Sequence, residues 1–307
     1  MSNLENVLKN YDIPSHEEKI LIFRKEWITI LTEKVKLKNI IFYSLMTIMS
    51  AIVFFPIIYA LSASFMENRD IISGKIFSRD MTFKNYIELK EKIPMLNFFL
   101  NSLITSLAGM ILQILTCSLA AYSIVFIEFK SKKISYMLIL LSMFIPWEAI
   151  FIPNYLTILN LGLVNTRTAL ILPFVTSGLG VFLMVQQFRT LNKSIIEAAK
   201  IDGCGHGYIY LIIVLPLSKS VLGTWGIYSF LSMWNMYLWP LMTSTRPESR
   251  TIQIGLKMMK VQEGVNNYGI LMAAVIMVII PSLLILFLGQ TQLQKGMTSG
   301  AVKEQKF

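Results

Sequence analysis

Six long apolar stretches punctuate this chain, separated by short polar segments. They cover about residues 40–64, 98–127, 134–155, 168–188, 208–238 and 268–289. A helix needs about 20 apolar residues to cross a hydrocarbon core, and each stretch meets that length. The pattern predicts an all-α, polytopic membrane protein with about six transmembrane helices. Pro146 and Pro153 fall in the third stretch and Pro216 near the start of the fifth, where each predicts a break or kink.

The polar segments divide the chain further. Residues 1–39 form a charged head, and Ser15 and Glu18 have capping-box spacing after Pro14. Ile20, Phe23, Trp27, Ile30 and Leu31 recur at helical spacing among basic residues. That pattern predicts either a helix lying on the membrane surface or an arm packed against a partner subunit, and the sequence does not separate the two. Residues 40–290 form the membrane domain, with a polar loop at 189–207, and 291–307 form a polar tail. No second domain or short-period repeat is visible.

The loop at 189–207 is a small-residue island. Ser194 and Glu197 have capping-box spacing, so a helix of about two turns is predicted from Ile195. Gly203 is placed to end it in the left-handed cap conformation. Ile195, Ala198, Ala199 and Asp202 are expected to share one face, with alanines that let another surface come close.

Composition agrees with a membrane class. The 307 residues are 54% hydrophobic and only 15% charged, where soluble domains carry about a quarter charged residues. The net charge of +10 fits loops beside anionic lipid rather than nucleic acid. With an inward N-terminus, the inner segments carry 16 Lys and Arg and the outer ones 11. The short loops decide the orientation: three lysines follow Ile127 within six residues, against one arginine in the fourteen after Pro153. Both termini and the island then face the cytoplasm.

Chemistry is sparse. No G-x-x-x-x-G-K-[ST] stretch is present to cradle ATP phosphates. The two histidines, His16 and His206, lie outside the spans, and the two cysteines, Cys117 and Cys204, imply neither a disulfide framework nor a metal cluster. No metal site, cofactor or enzymatic activity is expected. Few ionisable residues interrupt the spans, which argues against an ion-coupled carrier. Glu148, Trp234 and Asn235 are the candidates for the translocation path: a carboxylate near the third span's outer part, and a ring and an amide able to meet sugar hydroxyls. The alternative for Glu148 is the outer water interface, and for Tyr237 and Trp239 an aromatic belt.

Glu197-Ala198-Ala199-Lys200-Ile201-Asp202-Gly203, followed by Ile213-Val214-Leu215-Pro216, resembles the coupling-loop motif of ATP-binding-cassette importer permeases. Further likenesses are Met81 to Tyr86 after the first span, Trp234 to Pro240, and Gly296 to Lys303. Together they resemble the carbohydrate-uptake type, in particular the second permease subunit of maltose and glycerol-3-phosphate systems. Trp147 stands where that family has a small residue. The resemblance implies an importer-permease fold whose cytoplasmic coupling helix docks an ATPase through Glu197, Ala198, Ala199, Asp202 and Gly203, supported by Ser194 and Pro216. It implies a second homologous permease, two ATP-binding subunits and an extracellular solute-binding protein as partners. ATP hydrolysis belongs to those partner chains. The implied solute is a sugar, a polyol or glycerol-3-phosphate. The other function class left by the residues alone is a stand-alone secondary carrier or channel, which needs no ATPase.

Overall fold

The computed structural model describes residues 16–263 and 267–301, with side chains described for 38–261 and 267–292. All regular structure among the described residues is helical. Two units are distinguished, residues 1–59 and residues 60–307.

Helix α1 (His16–Ala63) crosses from the first unit into the second without interruption. The head helix and the first apolar stretch are thus one helix, with no break near residue 39. The Ser15 cap lies outside the described residues. Side chains from Ile40 to Leu61 are exposed almost throughout, including Ile40, Phe42, Ile52, Val53 and Phe54. A helix apolar on every side has the character of a membrane span rather than of a soluble surface helix.

The second unit begins with the segment that follows the first span. Helices α2 (Asn68–Ile72) and α3 (Lys84–Lys92) follow, and α3 is bonded to the turn after Ala63. Buried Asn85 donates from Nδ2 to the carbonyls of Ser64 (2.9 Å) and Met66 (2.8 Å), which the helix end leaves without partners. Tyr86 adds a hydroxyl contact to Ser64 at 2.9 Å. That bonding accounts for the Asn-Tyr pair noted in the sequence.

Helix α4 (Met95–Phe126) is the central post of this unit. Every fourth residue or so on its packed side is small or polar: Asn101, Thr105, Gly109, Gln113, Cys117 and Ala121 are all buried. Small residues let neighbouring helices approach closely where no hydrophobic effect drives them together. At Gly180 a Cβ would stand 2.6 Å from the Trp225 ring and 2.8 Å from Cys117 Sγ.

Three further stretches are bent pairs. Helices α5 (Lys132–Ser142) and α6 (Trp147–Asn160) meet at 100°, α7 (Arg167–Phe174) and α8 (Gly178–Arg189) at 50°, and, after the island helix α9 (Lys193–Ile201), α10 (His206–Leu217) and α11 (Lys219–Trp234) at 79°. Each break holds a proline or begins two residues after one: Pro146, Pro173 and Pro216. Pro153, by contrast, lies inside α6 without breaking it. In α10 a π-helical turn over Ile209–Val214 precedes Pro216. The wider turn relieves the clash between the proline ring and the carbonyl four residues back.

Helices α12 (Leu238–Thr243) and α13 (Ile252–Glu263) lead to α14 (Tyr268–Ala301). The segment between the fifth and sixth apolar stretches is therefore largely helical among its described residues, and α14 continues into the predicted tail; residues 302–307 lie outside the described residues. Counting α1, α4 and α14 with the three bent pairs gives up to six segments able to cross a membrane.

Candidate functional site

Helix α9 starts two residues earlier than its sequence pattern predicts. Its N-cap is Asn192, whose side chain accepts from the Ser194 N–H at 3.1 Å and the Ser194 hydroxyl at 2.9 Å. The Ser194–Glu197 capping box does not form, because asparagine at 192 already meets the first free donors. The C-terminus follows expectation. Gly203 has φ +78, its N–H reaches the Lys200 carbonyl at 3.1 Å, and the Cys204 N–H reaches Ala199 at 2.9 Å. These two bonds define a Schellman cap.

The helix divides its small residues between two faces. Ile196 (4% exposed) and Ala199 (7%) are buried against Phe188, Val185, Ile209 and Tyr210. Ile195, Ala198 and Asp202 are exposed, and Ile201 is 87% exposed. The single face expected from Ile195, Ala198, Ala199 and Asp202 is thus split. Rolling the helix to bury Ile196 gains more apolar area than burying Ala198 would. An anchored inner face and an uncovered apolar outer face give α9 the character of a rigid handle. Glu197 and Lys200 stand on its flank. They line a recess of about 510 Å³ together with Glu128, Lys132, Arg189 and Lys193. Lys132 pairs with Glu128 at 3.1 Å, and the Arg189 guanidinium lies 5.2 Å from the Tyr136 ring centre.

Helix α10, which follows α9, is tied to α4 by two hydrogen bonds. Tyr122 OH meets His206 Nδ1 at 3.0 Å, and Ser118 Oγ meets Tyr210 OH at 2.7 Å. Pro216 itself is exposed, two residues before the 79° bend.

At the opposite end, Asn165 gathers the turn after α6 to the segment after α12. Its φ is +67. Its Oδ1 accepts from the Arg246 N–H (2.9 Å), Thr245 Oγ1 (3.1 Å) and Ser249 Oγ (3.1 Å), and its own N–H donates to the Thr243 carbonyl at 2.8 Å. Asn101 at the start of α4 donates to the carbonyls of Glu248 and Arg250 and accepts from Arg167 Nε at 3.1 Å. Ser102 Oγ accepts the Ile252 N–H at 2.8 Å. Sequence reasoning weighed Glu148 and Asn235 among the polar residues of the spans and missed Asn101 and Ser102, an amide and a hydroxyl whose place in an apolar run was the available signal.

The three translocation-path candidates part company. Trp234 is 1% exposed, its Nε1 donates to the Val278 carbonyl at 3.0 Å, and it stacks on Phe230. Its ring serves the core and offers no face to a solute here. Asn235 is exposed beside it, and its Oδ1 accepts from Gln253 Nε2 at 3.4 Å. Glu148 is exposed in the first turn of α6, where the helix dipole favours an anion. Trp239, expected in an aromatic belt, is buried instead, with Nε1 on the Ala169 carbonyl at 2.9 Å. Trp147 fills the space beside it, 4.7 Å from Phe174 and 5.7 Å from Trp239 between ring centres.

A bent-helix membrane bundle carrying a capped, half-anchored helix between its fourth and fifth apolar stretches is the architecture of a transporter permease. Residues 113–299 match the family described as binding-protein-dependent transport system inner membrane component, and the chain belongs to that family. It is 32% identical over 254 residues to the arabinooligosaccharides transport system permease protein AraQ of Halalkalibacterium halodurans, covering 81% of this chain and 91% of that one. It is also 32% identical over 256 residues to the sn-glycerol-3-phosphate transport system permease protein UgpE of Agrobacterium fabrum, covering 80% and 91%. A solved bacterial transporter of the ATP-binding-cassette class, involved in import of the acidic polysaccharide alginate, superposes with a TM-score of 0.76 at 23% identity, over 83% of this chain and 96% of that one. This last likeness establishes the fold. The chain is accordingly a multi-pass membrane transport component, not an enzyme.

Proposed function

We propose that this chain is one half of a two-permease pore in an ATP-driven, binding-protein-dependent importer of a sugar, a polyol or glycerol-3-phosphate. Its partners are a second permease, two ATP-binding subunits and an extracellular binding protein. Helix α9 faces the cytoplasm and rests on one ATPase through Ile195, Ala198, Ile201 and Asp202, with Glu197 at its edge. ATP draws the ATPases together only because it binds their closed state more tightly. The handle then moves as one piece and carries α8, α10 and α4 with it through Ile196, Ala199 and the Tyr122–His206 contact. The pore alternates between inward-open and outward-open states. The three bent pairs each count as one crossing, which gives six and leaves both termini in the cytoplasm.

The observation that carries this reading is the exposed apolar face of α9 above an anchored one. Its test is Gly203→Val. A left-handed backbone costs a residue with a Cβ about 1–2 kcal/mol, and open space surrounds Gly203, so the strain stays in the cap. Uptake should fall several-fold and the ATPase should no longer copurify in mild detergent, with membrane levels unchanged. Full uptake at normal expression, or uptake with no ATPase present, would refute the docking role.

A further inference from the structure

The third apolar stretch carries a single charge. Between Lys133 and Arg167 the only Asp, Glu, Lys or Arg is Glu148. It stands in the first turn of α6, beside the 100° bend at Pro146. At 1.5 Å per residue the two limbs, α5 and α6, are about 16 and 21 Å long. On the importer reading the carboxylate therefore falls well inside the crossing. A charge there is costly and faces water, a cation or a partner rather than lipid. The dipole of α6 offsets only part of that cost.

Helix α6 has two unlike faces. Trp147, Phe151, Tyr155 and Ile158 pack in the cluster around Trp239. Glu148, Ile152, Leu156 and Leu159 are exposed at i, i+4, i+8, i+11 spacing and form one stripe. At the bend Phe144 is 83% exposed, and α5 buries no residue at all. The carboxylate thus heads a surface of large apolar side chains, which suits a dry contact better than an aqueous wall. This chain does not supply its partner. Glu148 makes no hydrogen bond or ion pair among the described residues. Every lysine and arginine whose side chain is not described belongs to residues 1–37 or 293–307, beyond the apolar stretches. The six stretches themselves hold one cation, Lys219, and it is not paired with Glu148.

We infer that the Glu148 stripe of α6 is a contact surface for the second permease, and that a lysine or arginine within an apolar span of that partner pairs with Glu148. Hydrocarbon tails can cover Ile152, Leu156 and Leu159 but offer nothing to a carboxylate, and a second copy of this chain offers Lys219 and no other span cation. A charge pair inside a dry interface fixes which spans meet and in what register, because leaving either member alone is strongly unfavourable. The inference rests on the importer reading and adds the face and the chemistry by which the two permeases recognise one another.

The test uses the complete importer assembled in its membrane. A photoreactive benzoylphenylalanine placed at Ile152, one turn from an intact Glu148, should on irradiation join this chain to the second permease. The same probe at Ile201 should join it to an ATPase, which checks the importer reading separately. An ATPase adduct from Ile201 with only lipid, this chain or a second copy captured from Ile152 overturns the interface and leaves the importer standing; no partner adduct from either position removes both. Charge supplies a second measurement. Glu148→Gln leaves the partner's cation unpaired, so recovery of the second permease in mild detergent should fall at least about tenfold. Glu148→Asp should keep most of it. Uptake lost in Glu148→Lys should return when the second permease is randomised and selected, and the selected change should replace a lysine or arginine of an apolar span by a neutral or acidic residue. Normal assembly of Glu148→Gln, or rescue that never touches a span cation, would refute the pairing. With Cys117 and Cys204 replaced by alanine, Glu148→Cys in the assembled importer should react with a water-soluble thiol reagent far more slowly than Arg246→Cys. Equal rates would place the carboxylate on an aqueous path and overturn the dry contact.

Discussion

At Asn165 a single side chain does the work of a small loop. The left-handed backbone there is one that asparagine tolerates and alanine does not. The side-chain oxygen also accepts three donors from Thr245, Arg246 and Ser249. The two contributions can be separated by substitution. Asn165→Asp keeps the acceptor and the tolerated backbone, so little should change. Asn165→Gly keeps only the backbone freedom and loses bonds worth about 1 kcal/mol each. Asn165→Ala loses both and should be worst, by about 2–4 kcal/mol in total. Thermal unfolding of the purified permease should follow that order. An alanine variant as stable as the aspartate variant would show that the cluster is not what fastens the segment. Residue chemistry of this kind was only half legible. Trp234 read as a ring for the translocation path and Trp239 as a belt ring, because aromatic residues at span ends usually face outward; both proved to be core, because each found a backbone carbonyl for its indole N–H.

Elements were more legible than side chains, since apolar runs and prolines act locally. Every bend lies at a proline that the sequence displays, yet Pro153 bends nothing. A proline in an apolar run announces a lost hydrogen bond, and the neighbours decide whether the helix breaks. The start of α9 is a similar case. Ser194 and Glu197 offered a capping box, and Asn192 offered a competing cap two residues earlier. The competition ended with Ser194 bonded to Asn192 rather than to its own third N–H. Asn192→Ala should therefore destabilise α9 by about 1 kcal/mol, with Ser194→Ala costing less and Glu197→Gln leaving the helix intact. Hydrogen exchange at Ile195 and Ile196 reads this directly. Faster exchange in the Ser194 variant than in the Asn192 variant would restore the capping box.

Taken as a whole, the molecule fixes which polar segments share an end, and this bears on the crossings. Glu128 and Lys132 line the same recess as Arg189 and Glu197, so the segment before α5 and the segment after α8 lie at one end. Asn165 joins Thr245, so the turn after α6 and the segment after α12 lie together, across the length of the bundle from α9. On the importer reading each bent pair runs from one end to the other, despite angles as large as 100°. Charge counts in the loops could suggest the orientation but not this connectivity, because a proline-broken run reads equally well as a crossing or as a re-entrant hairpin. The arrangement makes a specific demand on accessibility. Ile201 and Arg246 are both exposed, and only the α10–α11 pair and α12 separate them along the chain. With the native cysteines replaced, Arg246→Cys should react with an impermeant thiol reagent in intact cells, and Ile201→Cys should react only once the membrane is opened. If both reacted from outside, α10 and α11 would form a hairpin rather than a crossing, and α9 would stand on the wrong side for any ATPase.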